Sequence, residues 1–137
     1  MGSAKFPGGL YGLRVLVVED ETMVAMMLED MLEDFGCVIA GMAGTVAQAM
    51  ERIKVPSAID AAILDVNLGS EKIYPVADAL VELHVPFVFS TGYGPGDLAE
   101  RYPESQTLSK PYDAEALAGV LAACCLLGPP PPPLRSW

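Results

Sequence analysis

The stretch Leu13-Arg-Val-Leu-Val-Val-Glu-Asp-Glu21 decides the fold. Its first six residues are apolar apart from Arg14, and they run straight into acids. A run that is apolar on both faces marks a strand inside a parallel sheet. Two other runs end in the same way. Ala61-Ala-Ile-Leu-Asp65 stops at a carboxylate, and Thr107-Leu-Ser-Lys110 stops at an ammonium followed by Pro111. Glu19, Asp20, Asp65 and Lys110 then converge at one sheet edge. Carboxylates facing an ammonium make a site for a divalent cation and a phosphoryl group.

Outward from these runs, strand-like and helix-like segments alternate. Strand 13–18 leads into a helix over 22–35, where Val24, Leu28, Met31, Leu32 and Phe35 share one stripe and Gly36 stops it. A second strand follows over 37–42. Thr45-Val-Ala-Gln48 is a capping box that opens a helix running to about Lys54, and Pro56 closes it. The third strand is 60–65. Gly69-Ser70 is a loop, and the next helix, 75–83, tolerates Pro75 in its first turn. The fourth strand is 86–90. The glycine-rich stretch Gly92-Tyr-Gly-Pro-Gly96 and a short helical segment, 97–102, lead to a fifth strand over 106–109. Asp113 is the N-cap of a last helix with Leu117, Val120, Leu121 and Cys124 on one face, ended by Gly128. Five βα units in order, joined by right-handed crossovers, give an α/β doubly wound parallel sheet with helices on both faces. Ligands in such folds lie beyond the C-terminal strand ends. The domain is expected over 12–127, between a flexible lead-in (1–11) and a proline-rich tail (128–137) whose five consecutive prolines favour polyproline II.

The chain has 137 residues, enough for one compact domain, and 52% are hydrophobic. A net charge of −10, from 18 acidic and 8 basic residues, repels phosphate backbones and excludes nucleic acid as an expected partner. Cys37, Cys124 and Cys125 are an odd set that does not form a disulfide framework and suits a reducing cytoplasm. No apolar run has transmembrane length and no signal peptide opens the chain, so the expectation is a cytoplasmic protein without a membrane partner.

Clustered carboxylates repel by on the order of 1 to 4 kcal/mol at about 4 Å, and a hard divalent cation offsets this. Mg²⁺ (or Mn²⁺) is expected on Asp20 and Asp65, with the backbone carbonyl of Asn67 as a further oxygen and Glu19 reaching through a water. An Asp65 oxygen can then attack phosphorus to give an acyl phosphate. Lys110 and the Thr91 hydroxyl are placed to take the remaining charge on the transferred group.

In this order, the Glu19-Asp20 pair, Asp65 in Ile63-Leu-Asp-Val-Asn67, Thr91 and Lys110-Pro111 resemble the receiver domain of two-component response regulators. The resemblance covers roughly 13–127. It implies a flavodoxin-like (βα)5 fold of strand order 2-1-3-4-5, with Asp65 as phosphoacceptor and Thr91 as a switch that follows the phosphoryl group. It also implies a sensor histidine kinase or a histidine phosphotransfer protein as donor and a downstream protein as target. Output would run through the fourth helix, fifth strand and fifth helix. A finer similarity lies in Pro86-Phe-Val-Phe-Ser-Thr-Gly-Tyr-Gly94, which resembles the FAT GUY subgroup of receivers, with Ser90 where that motif has Ala. This implies a kinase of the HWE or HisKA2 class. Most receivers also carry an aromatic residue three positions before the lysine. Thr107 stands there instead, so Gly92, Tyr93 and Gly94 are the expected switch loop.

Each residue has a blander reading when taken alone. Glu19 and Asp20 could decorate a helix N-terminus, Asp65 could cap a loop, Thr91 could bond within a turn, and Lys110 could end a solvated strand. His84 reads as a surface residue, and the methionines at 23, 26, 27 and 31 as helix packing. Together, the five site positions favour a stand-alone receiver that switches or carries a phosphoryl group. The enzyme rival is an Mg²⁺-dependent phosphohydrolase with an Asp nucleophile. That chemistry wants a second Asp two residues on, where this chain has Asn67. An interaction module with a vestigial pocket is the third reading, and the intact acidic set argues against it.

Overall fold

A computed structural model describes residues 10–54, 58–69, 71–92, 98–102 and 105–125. Five parallel strands form the central sheet: β1 (Arg14–Val18), β2 (Val38–Ala43), β3 (Ala61–Asp65), β6 (Phe87–Thr91) and β7 (Gln106–Ser109). They are ordered β2-β1-β3-β6-β7, the expected 2-1-3-4-5 once the intervening hairpin is set aside. That hairpin, β4 (Asn67–Leu68) and β5 (Glu71–Lys72), follows β3 directly and is antiparallel. It occupies the stretch expected to be plain loop.

The helices are α1 (Thr22–Asp34), α2 (Val46–Ile53), α3 (Tyr74–Glu82), α4 (Leu98–Arg101) and α5 (Ala114–Cys125). Strand alternation splits the core into two clusters. Leu16, Val18, Ala62, Leu64, Phe87 and Phe89 pack with α2, α3 and α4 on one face. Val15, Val17, Ile63, Val88 and Leu108 pack with α1 and α5 on the other. All five residues of β3 are buried, as its unbroken apolar composition requires.

The helix ends follow the local chemistry. Thr45 Oγ1 accepts from the Gln48 N–H at 3.1 Å, as the capping box predicts. The Gln48 side chain reaches the Gly44 N–H at 2.8 Å. At the end of α1, Gly36 has φ +86°, and the Cys37 and Gly36 N–H groups close onto the Leu32 and Glu33 carbonyls. His84 makes the same kind of stop after α3 at φ 60°, and it is exposed as expected. Asp113 Oδ1 accepts from the Ala116 N–H at 2.9 Å and caps α5.

Leu10 departs from expectation. The expected lead-in extends through residue 11, yet Leu10 is fully buried among the α1 and α5 side chains. Its carbonyl accepts from the Leu13 N–H, and the Gly12 N–H bonds to the Gly36 carbonyl. Leu10 and Tyr11 stand between glycines, too short a stretch to carry a period, so no pattern signals this burial. Residues 1–9, Tyr93 and Gly94 of the expected switch loop, and the tail 128–137 lie outside the described residues.

Candidate functional site

The C-terminal ends of β1, β3, β6 and β7 bring the predicted residues together. Glu19 follows β1, and its N–H bonds to the Ala43 carbonyl of β2. The Glu19 side chain folds inward and is 5% exposed, with Oε2 accepting from the Glu21 N–H at 3.1 Å. Asp65 ends β3 and is 3% exposed. Its Oδ1 accepts from the Asn67 N–H at 3.0 Å, a bond supplied by the β4–β5 hairpin. Asp20 is exposed at the mouth. A Cβ on Gly69, which has φ +60°, would lie 3.9 Å from Asp20 Oδ2, so the hairpin turn approaches this carboxylate closely.

Lys110 crosses to these acids from β7. Its Nζ donates to Glu19 Oε1 at 3.2 Å and lies 3.4 Å from Asp65 Oδ1. The Lys110 N–H bonds to the Thr91 carbonyl at 2.8 Å, and the peptide to Pro111 is cis. Thr91 is buried at the end of β6, where Ser90 pairs in register with Asp65. The Val66 N–H bonds to the Ser90 carbonyl at 3.0 Å. Backbone bonds thus join the segments that carry Asp65, Thr91 and Lys110. Gly92 is exposed just beyond. Thr107 lies on β7 opposite Phe89.

Charge is unbalanced here. Glu19, Asp20 and Asp65 each offer an oxygen, all within 4.8 Å of one another. Burial pushes the Glu19 carboxyl up to about 7, and Asp65 adds to this through a shared hydrogen bond and its charge. The Glu21 N–H and Lys110 pull the other way. Burial lowers the Lys110 ammonium, but Asp65 and Glu19 outweigh it and leave the lysine above its ordinary value. Three hard oxygen donors in excess of one ammonium fit a hard divalent cation such as Mg²⁺.

The response regulator receiver domain model matches residues 15–122. The chain belongs to that family. This receiver is 30% identical over 111 residues to the phyllosphere-induced regulator PhyR of Methylorubrum extorquens, covering 79% of this chain and 42% of that protein. It spans about half the length of the curated relatives it matches. Among solved structures, the receiver domain of Erythrobacter litoralis PhyR covers 93% of this chain and 99% of its own, at 29% identity and a TM-score of 0.76. SdrG of Sphingomonas melonis is 45% identical with a TM-score of 0.72, over 82% of this receiver and 95% of SdrG. The fold and the family expected from the strand ends are therefore both found, and the family is one of signalling switches.

The sequence reading missed the intimacy of Glu19 and Lys110. Glu19 is expected there to reach the cation through a water, and it proves to be a buried carboxylate in direct contact with the lysine. The inward turn of its side chain has no sequence signal, because exposed Asp20 beside it is equally acidic.

Proposed function

We propose that Asp65 is the phosphoacceptor of this receiver. The observation that carries the reading is the convergence of the buried Asp65 carboxylate with Lys110 Nζ at 3.4 Å and with Glu19 and Asp20. One oxygen of Asp65 forms the new bond to phosphorus. The bond from phosphorus to the donor's leaving atom breaks, and its electron pair leaves with that atom. The Asn67 N–H holds Asp65 in orientation through Oδ1. Lys110 supplies positive charge to the transferred oxygens, and the Thr91 hydroxyl supplies a donor.

Asp20 and Asp65 would hold Mg²⁺ (or Mn²⁺), with the Asn67 carbonyl as a further oxygen and Glu19 reaching it through a water. When bound, the cation neutralises charge on the transferring group. The phosphoryl donor in this reading is a histidine kinase, of the HWE or HisKA2 class on the strength of Pro86–Gly94, or a histidine phosphotransfer protein. Output is a contact with a downstream protein, in the cytoplasm. The receiver core runs through about residue 127, with the proline-rich tail beyond it. No helix among the described residues is long and apolar enough to cross a membrane.

Incubation with acetyl phosphate and Mg²⁺, read by intact mass, tests the reading. One phosphoryl group is expected on the wild type and none on Asp65→Asn. A mass gain that survives the substitution overturns it. Continuous turnover of small phosphate esters would place the protein with phosphohydrolases instead.

A further inference from the structure

Glu71 is none of the site residues, yet its side chain joins two of the loops that frame them. Glu71 Oε1 accepts from the Val46 N–H at 3.1 Å, across 25 residues of chain. Val46 opens α2, and its N–H is one of the donors that a helix leaves free at its start. A carboxylate there also meets the positive end of the helix dipole. The start of α2 is already capped from within its own loop, by Thr45 on the Gln48 N–H and by the Gln48 side chain on the Gly44 N–H. The bond from Glu71 therefore does more for the hairpin than for the helix.

That hairpin has two residues in each strand, too little to hold its own shape. Leu68 and Ile73 anchor its base in the core, whereas Glu71 and Lys72 are exposed. A cavity of about 130 Å³ opens beside it, lined by Val66, Asn67, Gly69 and Glu71 together with Ile73 and Tyr74. Packing alone thus leaves room for the hairpin to shift. Both loops that Glu71 joins press on the outermost carboxylate of the site. On one side the Gly69 turn approaches Asp20, where a Cβ would lie 3.9 Å from Oδ2. On the other, a Cβ on Gly44 would lie 3.8 Å from the Glu19 carbonyl oxygen and 3.9 Å from Asp20 Cα. Asp20 is exposed, so these walls, and not burial, set its place.

We propose that Glu71 is a positioning residue for the cation site: its carboxylate, seated on the first N–H of α2, holds the β4–β5 hairpin to the β2–α2 loop and keeps the rim closed around Asp20 and Asn67. The proposal rests on the reading that Asp20, Asp65 and the Asn67 carbonyl hold Mg²⁺. Glu71 itself touches neither cation nor phosphorus and acts through the hairpin backbone.

The test titrates Mg²⁺ calorimetrically into the wild type, E71A, E71Q and E51A. The ¹H–¹⁵N signals of Val46, Asn67 and Gly69 are recorded without metal, and thermal melts verify folding. E71A is expected to bind Mg²⁺ about fivefold more weakly, with all three amide signals moved. Its phosphorylation by acetyl phosphate slows at limiting Mg²⁺ and returns to within about twofold of wild type at saturation. Glu71→Gln keeps an oxygen for the Val46 N–H and should stay within about twofold in affinity. Glu51→Ala removes the same charge from an exposed position on α2 and should do likewise. An E71A affinity within about twofold of wild type overturns the proposal. So do unmoved Asn67 and Gly69 signals, or an equal loss in E71Q or E51A, which would make the effect one of charge alone. A wild type that binds no Mg²⁺ removes the cation reading and the proposal together. A wild type that binds Mg²⁺ but takes no phosphoryl group removes only the acceptor reading, and the affinities and amide signals still decide the role of Glu71.

Discussion

Two ion pairs sit at opposite ends of β1, and they do opposite things. At its start, Arg14 holds Asp60 through Nε at 3.0 Å and Nη2 at 3.1 Å, and the Arg14 N–H adds a bond at 2.9 Å. Arg14 is exposed and Asp60 half-buried, and among the described residues the two charges pair with each other. Beyond its end, Glu19 and Asp65 are almost fully buried and share one lysine with exposed Asp20 nearby. The first pair is satisfied and belongs to the scaffold. The second is left acidic, and that surplus is what can hold a cation. Similar chemistry, placed where water is excluded and made unequal, becomes a site.

The largest effect should come from removing the lysine. Lys110→Ala is expected to slow phosphorylation by acetyl phosphate by about two orders of magnitude, measured by intact mass against time. In a chelating buffer it should also cost about 2 kcal/mol in urea unfolding, since two buried carboxylates lose the cation they share, and Mg²⁺ should return part of that loss. Unchanged rates would reduce the site to another structural pair. Next, Asp20→Asn should weaken Mg²⁺ binding about tenfold or more by calorimetry while making the cation-free protein more stable, because repulsion is relieved.

The two ends should also respond to pH with opposite sign. The Glu19 carboxyl is raised to about 7 by burial and by Asp65, so the folded state holds a proton that the unfolded chain releases near 4.5. Without divalent cation, Glu19 therefore makes the domain less stable as pH rises from about 4.5 to about 7. Glu19→Gln should flatten that slope in melts between pH 5 and 8. Asp60 is lowered by its hydrogen bond to Arg14, which outweighs the opposing effect of burial. Its contribution is present at neutral pH and is lost as pH falls below about 4. The smallest effect belongs here. Arg14→Gln should shift the melting point slightly, less so in high salt, and leave the phosphorylation rate within about twofold of wild type.

Much of this contrast was legible in the chain. Apolar runs ending at Asp65 and at Glu19-Asp20 fixed β3 and β1, because a central parallel strand has no polar face to disguise it. β2 was read one residue early, since an edge strand with exposed Val38 has a weaker boundary. The β4–β5 hairpin went unseen because two-residue strands show no alternation, yet its Asn67 N–H orients Asp65. The helix after the glycine-rich loop is only Leu98–Arg101. Tyr102 follows it and anchors into the core, against the Phe87 and Phe89 rings, with its hydroxyl on Asp78 at 2.6 Å. The inward turn of Glu19 and the burial of Ser90 are outcomes of packing across strands far apart in sequence. No local pattern carries them.

The strand that leads into the lysine sits in an exposed place in the sheet. β7 is four residues long and lies at the sheet margin, bonded to β6 alone, whereas β1 and β3 are flanked on both sides. Margins open before centres. On gentle heating, deuterium should enter the Lys110 amide sooner than the amides of Val17 or Leu64. The ammonium would then drift away while the acids stay in place, and the warmed protein would lose its capacity to be charged with phosphate before it lost its grip on a metal.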